Sequence, residues 1–203
     1  MGGLTWASCC FAHCMLARDQ ALGKMIIILT KSSMRPVLAR SAGVSVALAL
    51  GAAVVPAYAA QPVVVAVDGT LCDLTKTLAA GAASVTCLIP PGGDPHSYRL
   101  KPSDRGQIAK SDLVLYIGFG LTPSAKKLQS PGTVVAVGEV ALPSYGGSDP
   151  HVWHDPANSA AMVRVISRSL APVLAASDRA ALQQRTARAV AVFQALQRWE
   201  AKQ

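Results

Sequence analysis

Four short runs of apolar, largely β-branched residues mark the chain after residue 60, at 63–67, 85–89, 113–117 and 133–137. Between them lie stretches with helical character at 71–80, 103–109 and 123–128, the second with Ser103 as its expected N-cap after Pro102. Strand-like and helix-like segments in strict alternation predict an α/β fold, a parallel four-stranded sheet flanked by helices. A Gly- and Pro-bearing loop is expected over 138–156, followed by two closing helices at 157–174 and 178–202. In the last of these, Leu182, Ala189, Val192, Phe193, Leu196 and Trp199 recur at three- and four-residue steps. That spacing predicts one apolar face, either folded back on the sheet or leading into a connection to a further domain.

The pattern ahead of the first strand is different. From Met34 a basic stretch with Arg35 and Arg40 leads into an uncharged run at 41–55 and then Pro56-Ala57-Tyr58-Ala59. This is the order of a cleavable secretory signal peptide, with cleavage expected before Ala60. The 15 apolar positions fall short of the roughly 20 needed for a helix to cross a bilayer core. Residues 1–33 show no useful periodicity and read as an N-terminal extension from a start assigned too far upstream. Cys9, Cys10, Cys14 and His13 cluster there without a recognised metal-ligand spacing. The expected organisation is therefore 1–33 extension, 34–59 signal peptide, 60–177 α/β lobe and 178–203 terminal helix.

Composition narrows the function classes. The 203 residues carry a formal net charge of +8, with 51% hydrophobic and 5% aromatic residues. Half of the charge belongs to residues 1–59, and the basic residues beyond form no stripe with interleaved aromatics. A nucleic-acid partner is not expected, and the hydrophobic fraction excludes a disordered chain. Beyond the expected cleavage site the cysteines are Cys72 and Cys87. An even pair in an oxidising compartment favours a disulfide between the first helix and the second strand; two buried free thiols are the alternative.

The chemistry-bearing residues are histidines in a repeated tripeptide. Asp94-Pro95-His96 follows the second strand and Asp149-Pro150-His151 follows the fourth, each after a pair of glycines. Open α/β sheets bind ligands at the carboxyl ends of their strands. Each proline restricts the backbone just before an imidazole, and neutral imidazole suits zinc, manganese and related ions. His96 and His151 are therefore the candidate metal ligands, with Asp94 and Asp149 orienting the rings or capping the turns. His154, three residues beyond His151, could share a metal with it if the segment were helical; Pro150 and Pro156 favour a loop, in which it is a surface or supporting residue.

The segments Ile89-Pro90-Pro91-Gly92-Gly93-Asp94-Pro95-His96-Ser97-Tyr98, Lys101-Pro102-Ser103-Asp104, Ser111-Asp112-Leu113-Val114 and Asp149-Pro150-His151-Val152-Trp153-His154-Asp155-Pro156 resemble the zinc/manganese solute-binding proteins of bacterial ABC importers, the cluster A-I family. The likeness covers residues 62–203. It implies one α/β lobe of a two-lobed protein, with the metal held between lobes by two first-lobe histidines and by a histidine plus a carboxylate from the second lobe. By position, His96 and His151 would be the first-lobe ligands and 178–202 the interlobe helix. The chain departs from the family pattern at three places. It stops where the second lobe is expected to begin, which makes it an incomplete copy with first-lobe ligands alone; His154 replaces a usually apolar residue; and Leu121-Thr122-Pro123 stands for a Leu-Glu-Pro-like stretch. The family's acidic, His-rich loop is likewise replaced by a short connection at 138–148.

The resemblance implies a periplasmic protein whose partners are a divalent ion, zinc or manganese as transported ligand, and an ABC transporter membrane permease, with no catalytic cofactor. Two alternatives are a non-functional remnant and a metal-dependent hydrolase. Catalytic zinc normally takes three protein ligands with a nearby general base. The sequence offers His96, His151 and His154, with Glu139 and Glu200 as its glutamates, and holds no His-Glu-x-x-His, Gly-x-Ser-x-Gly or phosphate-loop motif. The expectation is accordingly a binding protein and not an enzyme.

Overall fold

The computed structural model describes residues 60–203. The expected N-terminal extension at 1–33 and signal peptide at 34–59 lie outside the described residues. Four strands form one parallel sheet: β1 (Val63–Ala66), β2 (Ser84–Cys87), β3 (Leu113–Tyr116) and β4 (Thr133–Ala136). Their order across the sheet is β2-β1-β3-β4, with Val64 opposite Val85 on one side and Leu113 on the other, and Leu113 opposite Thr133. The strand positions follow the four apolar runs, ending one or two residues earlier.

The runs are apolar throughout because the central strands are covered on both faces. Val64 and Ala66 of β1 face the larger core, with Leu113 and Leu115 of β3. Leu71 and Leu78 of α1 (Gly69–Ala79) join them, as do Met162, Ile166 and Leu170 of α4 (Pro156–Leu170). Val65 and Val67 face the other way, into a smaller core with Val114, Leu88, Ile89, Ala125 and Ile108 of α2 (Pro102–Ile108). Each fully buried Val or Leu contributes about 1.5–3 kcal/mol.

Several boundaries differ from the sequence expectation for local reasons. Ser103 does not cap α2: Pro102 occupies the first turn, where a missing amide donor costs nothing, and the Asp104 carboxylate accepts the Lys101 N–H at 2.8 Å. The segment expected as a continuous loop contains a short helix, α3 (Val137–Ala141), and a 3-10 turn at Val152–His154. The chain enters α3 straight from β4, held by the Gly138 N–H on Ile117 O at 2.8 Å. Pro156 begins α4 because the Asp155 carboxylate accepts the Ala157 N–H at 2.7 Å.

The last helix, α5 (Arg179–Glu200), folds back for its first half only. Leu182 and Val190 are buried and Phe193 is partly so, whereas Val192, Leu196 and Trp199 are exposed. The continuous face expected from the spacing is thus divided. Its rotation is set by polar anchors: Arg185 donates to Leu78 O at 2.6 Å and Ala79 O at 3.3 Å, carbonyls at the end of α1. Thr186 donates to Ser167 Oγ of α4 at 2.7 Å.

Cys72 of α1 and Cys87 of β2 are joined as a disulfide, 15 positions apart in sequence and with their Cα atoms 5.5 Å apart, a distance normal for the bond. It closes a short loop that includes an outer strand. The Cys72→Ala/Cys87→Ala double variant is expected to lose about 3 kcal/mol on the chain-entropy view. Urea denaturation measures this, and a midpoint unchanged from wild type would reject the stabilising role.

Candidate metal centre

Both His tripeptides follow outer strands, His96 after β2 and His151 after β4 and α3, and their loops meet over the carboxyl edge of the sheet. His96 Nε2 lies 3.0 Å from His151 Nε2, with the rings edge to face at 5.1 Å between centroids. Two zinc–nitrogen bonds of about 2.0–2.1 Å at a tetrahedral angle would separate their nitrogens by about 3.3 Å. The observed separation is therefore close to that of two ligands on one ion.

The repeated tripeptide produces the same local turn twice. Asp94 Oδ1 accepts the His96 N–H at 3.0 Å, and Asp149 Oδ1 accepts the His151 N–H at 2.9 Å. At the second loop the same carboxylate oxygen also lies 2.6 Å from His151 Nδ1. A carboxylate only accepts, so Nδ1 carries a proton, and in the neutral ring the Nε2 lone pair then faces His96. These contacts, the backbone N–H first and the ring second, hold the Asp149 carboxyl below the usual carboxylate range. Asp94 is lowered too, chiefly by the Ser97 side chain and then by the His96 N–H. Trp153 meets the His151 ring edge to face at 5.3 Å.

The loop carrying His96 is anchored just beyond it. The Tyr98 hydroxyl lies 2.7 Å from Asp104 Oδ2 and 3.0 Å from Leu88 O, and Ser124 Oγ donates to Tyr98 O at 2.9 Å. Burial, and then the Asp104 carboxylate beside it, push Tyr98 up to about 12.

Between the two His loops lie those of the central strands, and here the structure reveals residues that sequence reasoning missed. Asp68, two residues after the end of β1, is 4% exposed. Its Oδ2 accepts the Ile117 N–H at 2.9 Å and its Oδ1 accepts the Thr122 hydroxyl at 2.7 Å. Thr122 supplies the hydroxyl and Asp68 the carboxylate of a bond that joins the loops of the two central strands. Glu139 of α3 accepts the Phe119 N–H at 2.7 Å. An acid directly following an apolar strand and the Gly118-Phe119-Gly120 triplet after the third strand were the available signals.

His154 is not brought to the pair: its ring centroid is 6.4 Å from that of His151, and it tilts against Trp153 at 5.4 Å. Among the described residues no group of three or more His, Cys, Asp or Glu side chains is placed to hold a metal ion. The arrangement offers two imidazole nitrogens, one with its tautomer set by a carboxylate.

Residues 64–203 match the family model described as ZnuA, zinc-uptake complex component A, periplasmic. The chain is similar to the zinc-binding protein TroA of Treponema pallidum, 33% identical over 59% of this chain and 42% of that protein. It is also similar to the manganese-binding lipoprotein MntA of Halalkalibacterium halodurans, 34% identical over 48% of this chain and 35% of that protein. The solved structure of the periplasmic zinc-binding protein TroA superposes with a TM-score of 0.63 at 28% identity, covering 68% of this chain and 53% of that one. The chain thus spans about a third to a half of the length of these relatives.

Burial raises the Asp68 carboxyl above its ordinary value of 3.8, against the opposing effect of its bonds to Thr122 and Ile117. The folded state therefore binds more protons than the unfolded chain as pH rises above 3.8. The contribution of Asp68 to stability is fullest below that pH and falls as pH rises through the raised value. Asp68→Asn keeps an acceptor for Ile117 and a polar partner for Thr122 without the charge. Denaturation between pH 3 and pH 7 is expected to show the wild type losing stability relative to Asp68→Asn as pH rises; parallel curves would count against a charged, buried Asp68.

Proposed function

The chain belongs to the family of the periplasmic zinc-uptake complex component A, and from that premise we propose that it binds a zinc or manganese ion reversibly through His96 and His151. Its family is one of solute-binding transport components rather than enzymes. The observation that carries the reading is the convergence of two loop imidazoles, Nε2 to Nε2 at 3.0 Å, on the sheet edge where α/β proteins hold ligands. The ion is cargo. It is taken up after export under the leader at 34–59 and released to the membrane permease of an ABC importer.

In this reading residues 60–177 are the first metal-binding lobe and 178–203 the interlobe helix. The two imidazoles take two coordination positions. The others are open to water or to the histidine and carboxylate that the family pattern places on a second lobe. Zinc binds more tightly than manganese here, because imidazole nitrogen suits zinc while manganese prefers oxygen donors and stands lower in the affinity order of divalent ions. A hydrolytic role is disfavoured because catalytic zinc normally takes three protein ligands, and His154, the third histidine among the described residues, is not brought to the pair, its ring centroid lying 6.4 Å from that of His151.

Isothermal titration of the full chain tests the reading. Zinc is expected to bind at one site, manganese more weakly, and His96→Ala and His151→Ala should each weaken zinc by more than about tenfold, because an outer-shell partner alone is worth 10- to 100-fold. Equal zinc binding by all three proteins would reject the site.

A further inference from the structure

We propose that Tyr145 is a positioning residue for His151, fixing the Asp149 turn that sets the direction of the His151 ring. The proposal rests on the reading of His151 as a metal ligand and adds what holds it in place.

The starting point is backbone strain at the end of β3. Gly118, Phe119 and Gly120 have φ values of 91°, 51° and 74° in succession. A bulky aromatic residue in the left-handed region persists only where its surroundings over-determine it, and such strain gathers at functional sites. Three contacts act on this turn. Asp68 accepts the Ile117 N–H at its start and the Thr122 hydroxyl at its end. Glu139 accepts the N–H of Phe119 itself, through space left by the missing Cβ of Gly118. The Phe119 ring lies 5.0 Å from the Tyr145 ring, tilted by 59°.

Tyr145 carries this order to the metal loop. Its hydroxyl donates to Asp149 O at 2.8 Å. Asp149 Oδ1 in turn accepts the His151 backbone N–H at 2.9 Å and its Nδ1–H at 2.6 Å. The loop between them closes tightly over the phenol, since a Cβ on Gly147 would fall on the Tyr145 ring and hydroxyl. Asp149 is exposed, with 72% of its side chain open to solvent, so its carboxylate is not confined by packing. The Tyr145 bond to its carbonyl is what ties the residue to the body of the lobe. Without that bond the local turn still holds the carboxylate on the His151 N–H, but the turn as a whole is no longer fixed against the lobe, and the carboxylate loses the placement that keeps the proton on Nδ1 and the Nε2 lone pair toward His96.

Tyr145→Phe in the full chain is the test, because it keeps the ring against Phe119 and removes only the hydroxyl. Two changes are expected. Zinc affinity by calorimetry falls about tenfold, and nitrogen-15 NMR of the metal-free protein shows the His151 imidazole moving from one dominant tautomer to a mixture while His96 is unchanged. In a His151→Ala background the added Tyr145→Phe change should cost no further affinity. Where the wild type binds zinc, absence of either change overturns the proposal, as does an equal loss in the His151→Ala background. A wild type that binds no zinc would reject the metal reading itself; the tautomer measurement, which needs no metal, would still decide whether Tyr145 positions His151.

Discussion

In a sheet whose strands all run parallel, every strand-to-helix loop leaves from the same edge, and the order β2-β1-β3-β4 decides which loops are neighbours there. The loops of the two central strands lie between those of the two outer strands. The outer loops carry the histidines and arch inward until their rings meet. What stands between them is set by Asp68, a carboxylate at 4% exposure that joins the ends of both central strands through Ile117 N and Thr122 Oγ1. Burying a charge is unfavourable unless hydrogen bonds compensate, and burial does raise this carboxyl above its ordinary range. Its role is better read as geometric than as stabilising: it pins the start and end of a turn in which three successive residues, Gly118, Phe119 and Gly120, have positive φ.

The two Asp-Pro-His sequences show how identical residues acquire different roles from their surroundings. In both, the aspartate accepts the histidine N–H, a turn that the tripeptide makes for itself. Only the second loop also has its aspartate on the ring, at 2.6 Å from Nδ1. The first is anchored downstream instead, through Tyr98 on Asp104 and Leu88. His151 is accordingly held by its ring and His96 by its backbone. In the proposed site, an imidazole fixed by its ring would present a preset lone pair, while one fixed by its backbone would keep rotational freedom with which to adapt to an ion's geometry.

Much of this was legible in the residues, and the divide has a physical cause. Strands buried on both faces write themselves as apolar runs, so all four were placed to within a residue or two. The tripeptide repeat and the cysteine pair are local words and were readable for the same reason. The missed features depend on residues far apart in sequence: Asp68 meets Ile117 at a separation of 49 residues, and Phe119 meets Glu139 at 20. Nothing local in a single aspartate or glutamate tells where such a partner will come from. The division of the α5 face has the same origin. Periodicity placed Leu182 and Trp199 on one stripe, but Arg185 reaching the α1 carbonyls and Thr186 reaching Ser167 fix how the helix is rolled, and hydropathy does not register such bonds.

The close approach of the two Nε2 atoms bears on how an ion would be taken up and given back. At 3.0 Å, against about 3.3 Å for two nitrogens on a tetrahedral ion, the rings need to part by only a few tenths of an ångström. Little ordering then remains for the binding step, which favours affinity. When His96 carries its proton on Nε2 the same contact is a hydrogen bond, so metal-free rings are not left as opposed lone pairs, and uptake asks for a change of tautomer at His96 alone. His151 is 37% exposed and Asp149 72%, so the pair is open to water rather than sealed in a cavity. Preset geometry with an open approach accords with the proposed reversible binding, because an ion there could be exchanged for water, with the His96 proton returning to Nε2, without unfolding the loops that carry the two imidazoles.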